Sequence, residues 1–203
     1  KNPHLFKEEL AEIAQKYRSN IQYFIYKSII LRNLYGVDIM VEAVEIAKLR
    51  LFLKMVAVVE ADRRAPNLGL DPLPDIDFNI RCGNTLVGYA SEKEVVNAYS
   101  SELFTAAAFR EQMEVEMTKV AKAYEHFRRI QLSQHEDMAE FKEAKEELHT
   151  RLSTFTEQLN QQMFSRQLGG EEFKQEEYEA YLASHQPFHW FAEYYQIIHG
   201  NGG

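Results

Sequence analysis

The chain has 203 residues, with 31 acidic against 23 basic side chains for a net charge of −8, and is 45% hydrophobic and 27% charged. That balance describes a folded soluble chain with one or two domains' worth of core, not a disordered tail. The most apolar stretch, 21–34, is broken by Gln22, Lys27 and Arg32, and no window approaches the roughly 20 uncharged residues of a membrane span. The acidic excess opposes wrapping of a phosphate backbone by this chain alone, since such binding neutralises phosphates with Lys and Arg. A single cysteine, Cys82, excludes an internal disulfide framework and a multi-Cys metal site. With no signal or transit peptide visible, it suits a reducing, cytoplasmic compartment.

Leu5, Phe6, Leu10, Ile13, Ala14 and Tyr17 recur at helical spacing and predict a first helix. A second follows over IQYFIYKSIILRN, where Ile21, Phe24, Ile25, Ser28, Ile29 and Arg32 share a face and Ser19 or Asn20 is placed to cap. The run Leu34 to Ile39 is β-prone and holds an acid, Asp38. It leads straight into an apolar-rich helix, VEAVEIAKLRLFLKMVAVVE. Pro66, Gly69, Pro72 and Pro74 then force a loop. Phe78 to Cys82 reads as a second strand, ended by Gly83-Asn84. Strand, helix, loop and strand in this order predict a right-handed parallel crossover, the unit of α/β folds.

Beyond residue 100 the composition changes. From Thr105 to Tyr181 there is no proline, and Gly169 and Gly170 are the only glycines. Met113, Met117, Val120, Tyr124 and Phe127 form one heptad-like stripe, and Phe141, Leu148, Leu152, Phe155 and Leu159 form another. Ser133-Gln-His-Glu136 has the capping-box pattern between them, so an antiparallel helical hairpin is expected, ended by Gly169-Gly170. The segment Pro187 to Ile198 reads as a short aromatic helix begun at proline.

Two strand ends could carry chemistry. An acid at the carboxyl end of a strand in a nucleotide-binding sheet can accept hydrogen bonds from vicinal ribose hydroxyls, and Asp38 stands there; equally, its carboxylate can cap the following helix. The amide of Asn84, with a donor and an acceptor, can read an adenine edge, or it can serve the turn that glycine and asparagine commonly build. The seven histidines are scattered; His185 and His189 alone have i, i+4 spacing, with Pro187 between them. No metal site is expected, because zinc sites need three or four protein ligands. Cys82 reads as a small core residue. Trp190, Phe188, Phe191, Tyr194 and Tyr195 can stack on bases, or form core.

Taken together, NLYGVDIMVEAVEIAKLRLFLKMV and LPDIDFNIRCGNTLVGY resemble the central part of the DNA adenine-N6 methyltransferases of type IIG, or Eco57I-like, restriction-modification systems. The likeness spans about residues 21–90, and FHWFAEYYQI resembles the helix that precedes the catalytic strand in that family. The resemblance implies an α/β fold, part of a Rossmann-like class I methyltransferase sheet, with a large α-helical hairpin insertion. It divides the chain into a partial S-adenosylmethionine-binding domain (1–100), the hairpin (101–186) and a helix returning to the sheet (187–203).

By the same resemblance Asp38 holds the ribose of S-adenosylmethionine and Ile39 packs on its adenine. Asn84 binds the adenine amino group, and Thr85 lies beside the ring where some relatives carry an aromatic residue. The family's glycine-rich turn is expected before Lys1, and its catalytic Asn-Pro-Pro-Tyr type tetrapeptide beyond Gly203. The chain is therefore expected to be an internal fragment, inactive alone, of an enzyme that grips DNA through other parts. Two other readings stand beside this one: a helical interaction module on an α/β scaffold, and a fragment of a dinucleotide-binding dehydrogenase, which also uses an acid at this strand end.

Overall fold

Nearly every turn of helix α1 (Ile21–Asn33) offers an apolar side chain, so long-range contacts select the face it buries. In a computed structural model, which describes residues 7, 11, 14, 20–64, 66–70, 72–99, 103–132, 138–168 and 174–199, that face carries Tyr23, Ile30 and Leu31. The expected face is the wrong one: Ile21, Ile25 and Ile29 are exposed. Two polar anchors set the roll of the helix. The Tyr23 hydroxyl donates to the Pro72 carbonyl at 3.1 Å. The buried Asn79 amide donates to the carbonyls of Ile30, Leu31 and Leu34 at 3.2, 3.4 and 3.1 Å. Nor does the Asn20 side chain cap the helix. Its Nδ2 donates to the Glu60 carbonyl at 3.0 Å and its Oδ1 accepts the Glu60 N–H at 2.7 Å.

The expected strand–helix–strand order with parallel pairing is present. Strand β1 (Gly36–Asp38), helix α2 (Val41–Val56) and strand β2 (Ile80–Cys82) follow one another, and the strands pair in parallel with Gly36 opposite Ile80, Val37 opposite Arg81 and Asp38 opposite Cys82. This two-stranded ladder is the sheet of the described residues, and most of the remaining chain is helical. Between α2 and β2 the proline-rich stretch holds a 3-10 turn, Pro66–Gly69. Helix α2 buries Val44 and Met55 but exposes Ile46, Leu49, Leu53 and Val56.

The chain forms two compact units, 1–82 and 83–203. The second contains α3 (Glu92–Tyr99), α4 (Leu103–Leu132), α5 (Met138–Leu168), α6 (Gln175–His185) and the short helices α7 (Trp190–Glu193) and α8 (Tyr195–His199). Helices α4 and α5 pack along their apolar stripes: Met113, Met117, Val120 and Phe127 on one, and Leu148, Leu152, Phe155 and Leu159 on the other, are buried. Ala123 and Ala144 complete the seam, while Tyr124 and Phe141 are half-buried. Phe127, near the end of α4, lies 5.4 Å from Phe141, near the start of α5, which makes the pair antiparallel. The first predicted helix falls almost wholly outside the described residues, and the Ser133–Glu136 capping box, Ser19 and Gly169-Gly170 lie outside them.

Pro187 does not begin a helix. It forms a parallel bridge with Asn84, and α7 starts three residues later, at Trp190. A proline is tolerated in such a bridge because its neighbours make the bonds: the Asn84 N–H donates to the Gln186 carbonyl, and the N–H that proline lacks is not called on. The aromatic segment is largely core: Phe188, Phe191 and Tyr194 are buried, with Phe188 and Trp190 edge to face at 5.3 Å.

Candidate functional site

The carboxylate of Asp38 sits at the carboxyl end of β1 and is exposed. Its Oδ1 accepts the Met40 N–H at 2.8 Å, the two-residue reach by which an aspartate side chain closes a turn on its own backbone. Met40 is the N-cap of α2 and gains no cap bond from its own side chain, so Asp38 supplies the entry to that helix. Oδ2 has no hydrogen-bond partner among the described residues. Next to it Ile39 is 50% exposed, and the Cys82 thiol, paired across the ladder with Asp38, donates to the Ile39 carbonyl at 3.5 Å.

Cys82 is exposed rather than a core residue, because β2 ends at the rim of the ladder. Desolvation, reinforced by the carboxylates of Asp38 and Glu42, holds its thiol above the ordinary cysteine range, which argues against a nucleophilic role at neutral pH. Lys48 on α2 binds Asp77 at 2.8 Å and Glu45 at 3.1 Å. Desolvation pulls its pKa down, but the two carboxylates outweigh that and leave it above the ordinary lysine value.

In the second unit Asn84 is held from both sides. Its N–H donates to the Gln186 carbonyl at 2.7 Å, its carbonyl accepts the Val87 N–H at 3.1 Å, and its Oδ1 accepts the Leu86 N–H at 3.1 Å. The turn chemistry open to this asparagine is therefore present, and Oδ1 keeps a second lone pair. Thr85 is exposed, and its carbonyl accepts the indole N–H of Trp190 at 3.4 Å. Leu86, 93% exposed, marks the tip of the loop.

What the spacing of residues did not reveal is the support beneath this loop. His189 is fully buried, and Tyr89 N–H donates to its Nδ1 at 3.0 Å. Burial pushes its pKa down to about 4, so the ring is neutral and its Nε2–H donates to Asn160 Oδ1 on α5 at 2.9 Å. The partners lie 100 and 29 residues away, beyond any local pattern; the one usable signal was a histidine inside an aromatic run. Among the described residues no three His, Cys, Asp or Glu side chains converge on a metal position, and no helix is long and apolar enough to cross a membrane.

An acid at the rim of a parallel strand–helix–strand unit, followed by a Gly-Asn turn after the second strand, defines a class that comparison with known proteins makes specific. A model of the Eco57I restriction-modification methylase family matches residues 32–202. The chain belongs to that family. Over 73 residues it is 55% identical to a protein of Methanocaldococcus jannaschii named as a type II restriction enzyme and methyltransferase; the match covers 34% of this chain and 6% of the relative, so the chain spans a small part of that relative's length. No solved structure matches.

Proposed function

We propose that the chain is part of a DNA methyltransferase of a restriction-modification system, one that transfers a methyl group from S-adenosylmethionine to the N6 of adenine, and that β1, α2 and β2 belong to its Rossmann-like sheet. The observation that carries this reading is the exposed Asp38 at the β1 rim, whose carboxylate spends one oxygen on the Met40 N–H and keeps the other for a ligand. An open carboxylate oxygen suits vicinal ribose hydroxyls, which need an acceptor, and the exposed Ile39 beside it suits an adenine face. When bound, S-adenosylmethionine supplies an electrophilic methyl group. Asp38 orients the nucleoside, Ile39 covers its base, and Asn84 Oδ1 accepts from the adenine amino group with Thr85 alongside. The helical hairpin is read as an insertion, and DNA is gripped by parts of the protein outside this chain. Membership of a methylase family favours this reading over the dehydrogenase and interaction-module alternatives.

Calorimetric titration of S-adenosylmethionine into the full-length protein tests the proposal. Asp38→Ala removes charge-assisted hydrogen bonds and lowers affinity by at least about tenfold. Asp38→Asn keeps an acceptor for Met40 N–H, so it preserves the turn while remaining impaired in binding. Unchanged affinity in both variants removes Asp38 from the site.

A further inference from the structure

The loop from Gly83 to Ala90 is held by its partners more than by itself. Along one side of it run residues 186–191. The Asn84 N–H donates to Gln186, and the Phe188 N–H donates to the Val87 carbonyl at 2.7 Å. The Phe191 N–H donates to the Tyr89 carbonyl at 3.3 Å, and the Trp190 indole donates to Thr85. The two backbones approach so closely that a Cβ on Gly83 would lie 2.9 Å from Phe188 Cβ, and one on Gly88 would lie 2.2 Å from the Phe188 carbonyl oxygen. At the centre of this strap is His189, stacked on Tyr89 at 5.3 Å, which accepts the Tyr89 N–H on one side and donates to Asn160 on the other.

These contacts form a continuous polar chain from helix α5 through one buried imidazole to the backbone of the loop. The imidazole has two ring nitrogens, and each is spent on a different element, so neither bond can shift without turning the ring away from the other. The ring is enclosed, with 0% exposure, and water cannot take over a lost partner at low cost.

We infer that His189 is a positioning residue: through Asn160 it fixes the Gly83–Ala90 loop to the helical hairpin and so sets where Asn84 and Thr85 stand. The hairpin is then part of the support of the site, and displacement of α5 is felt at the loop. The consequence for ligand binding rests on the proposed role of Asn84 and Thr85.

Hydrogen–deuterium exchange on the full-length protein, carried out beside calorimetric titration of S-adenosylmethionine, tests this with Asn160→Ala and Asn160→Asp. Asn160→Ala removes the acceptor from a half-buried helical position, and exchange of the amides in residues 84–90 speeds up about tenfold, as expected for the loss of roughly one buried hydrogen bond from a local unit. Asn160→Asp keeps the acceptor and restores slow exchange, while amides of α4 between Met113 and Phe127 are unchanged in both. Unaltered exchange at 84–90 in Asn160→Ala overturns the inference. Equal acceleration at 84–90 and in α4 also overturns it, by showing that Asn160 acts on general stability. Weakened S-adenosylmethionine affinity accompanying faster loop exchange ties the support to the site. Faster exchange with unaltered affinity upholds the positioning role and instead removes Asn84 and Thr85 from the cofactor contacts.

Discussion

Asn160 and His189 meet at 2.9 Å, amide oxygen to ring nitrogen, and the Tyr89 N–H on the far side of the ring fixes which nitrogen carries the proton. A buried imidazole arranged this way accepts a second proton only at the cost of the Tyr89 bond. Burial, which penalises the charged ring, lowers its pKa from the ordinary 6.5 to about 4.

That shift sets a direction for acid stability. Between these two values the unfolded chain binds the proton and the folded chain does not, so stability is full above pH 6.5 and falls as the pH drops toward 4. The slope is about 1.4 kcal/mol per pH unit within the window, or roughly 2 kcal/mol lost by pH 5. Urea unfolding at pH 7 and pH 5, compared with His189→Gln, isolates this contribution. The variant is less stable at pH 7 and loses about 2 kcal/mol less on acidification; equal losses in the two proteins refute the assignment.

Gly88 and Gly36 respond unequally to alanine. Gly88 has φ +137 and no room beside the Phe188 carbonyl, so Gly88→Ala forces both a strained backbone and a clash and costs about 1–3 kcal/mol or more. A Cβ on Gly36 meets Ile80 Cδ1 at 3.5 Å, an ordinary contact, and Gly36→Ala changes stability by less than about 1 kcal/mol. Denaturant midpoints of the two variants decide the point.

In the hairpin, Leu152→Ala empties a buried position on the α5 stripe and costs about 2–5 kcal/mol. Glu143→Ala, on the exposed side of the same helix, changes stability by at most about 0.5 kcal/mol. Thermal unfolding of both variants should separate them clearly, and similar midpoints would mean that the stripe does not face a core.

Asn20→Asp tests the clasp on Glu60. The substitution keeps the oxygen that accepts the Glu60 N–H but loses the Nδ2 donor to the Glu60 carbonyl, and it places an acid in a site that is 7% exposed. A loss of about 1–3 kcal/mol is expected by chemical denaturation, against near neutrality if the side chain merely marked a helix start.

The crossover was legible in the sequence because each of its signals is local: a β-prone run before Asp38, an unbroken helical segment after it, prolines that admit only loop, and a second short apolar run before Gly83. The stripes of α4 and α5 were legible for the same reason, since Met113, Met117 and Val120 repeat at the helical period. Helix α1 was not, because it is apolar on several sides and Tyr23 and Asn79 choose among them through contacts about 50 residues away. Asp38 and Asn84 stand out as candidates by position, and their bonds to Met40 and Leu86 show local turn roles that composition could not rank. His189 and Pro187 escaped because their partners, Tyr89 and Asn84, lie some 100 residues upstream.

Asn79 gives the first unit a particular order of assembly. The last carbonyls of a helix need donors, and two of those of α1, on Ile30 and Leu31, together with that of Leu34 just beyond it, accept from the Asn79 side chain 45 to 49 residues later in the chain. A ribosome that has released only α1 has released a helix whose final turn still depends on water, and which frays as short isolated helices do. The end of α1 is completed only after α2 and the proline-rich loop have emerged and the turn before β2 has swung back. The finished end of α1 and the approach to β2 thus share one residue, and slowing the delivery of residues 57–79 is expected to delay both, which pulse-labelled hydrogen exchange during refolding would check.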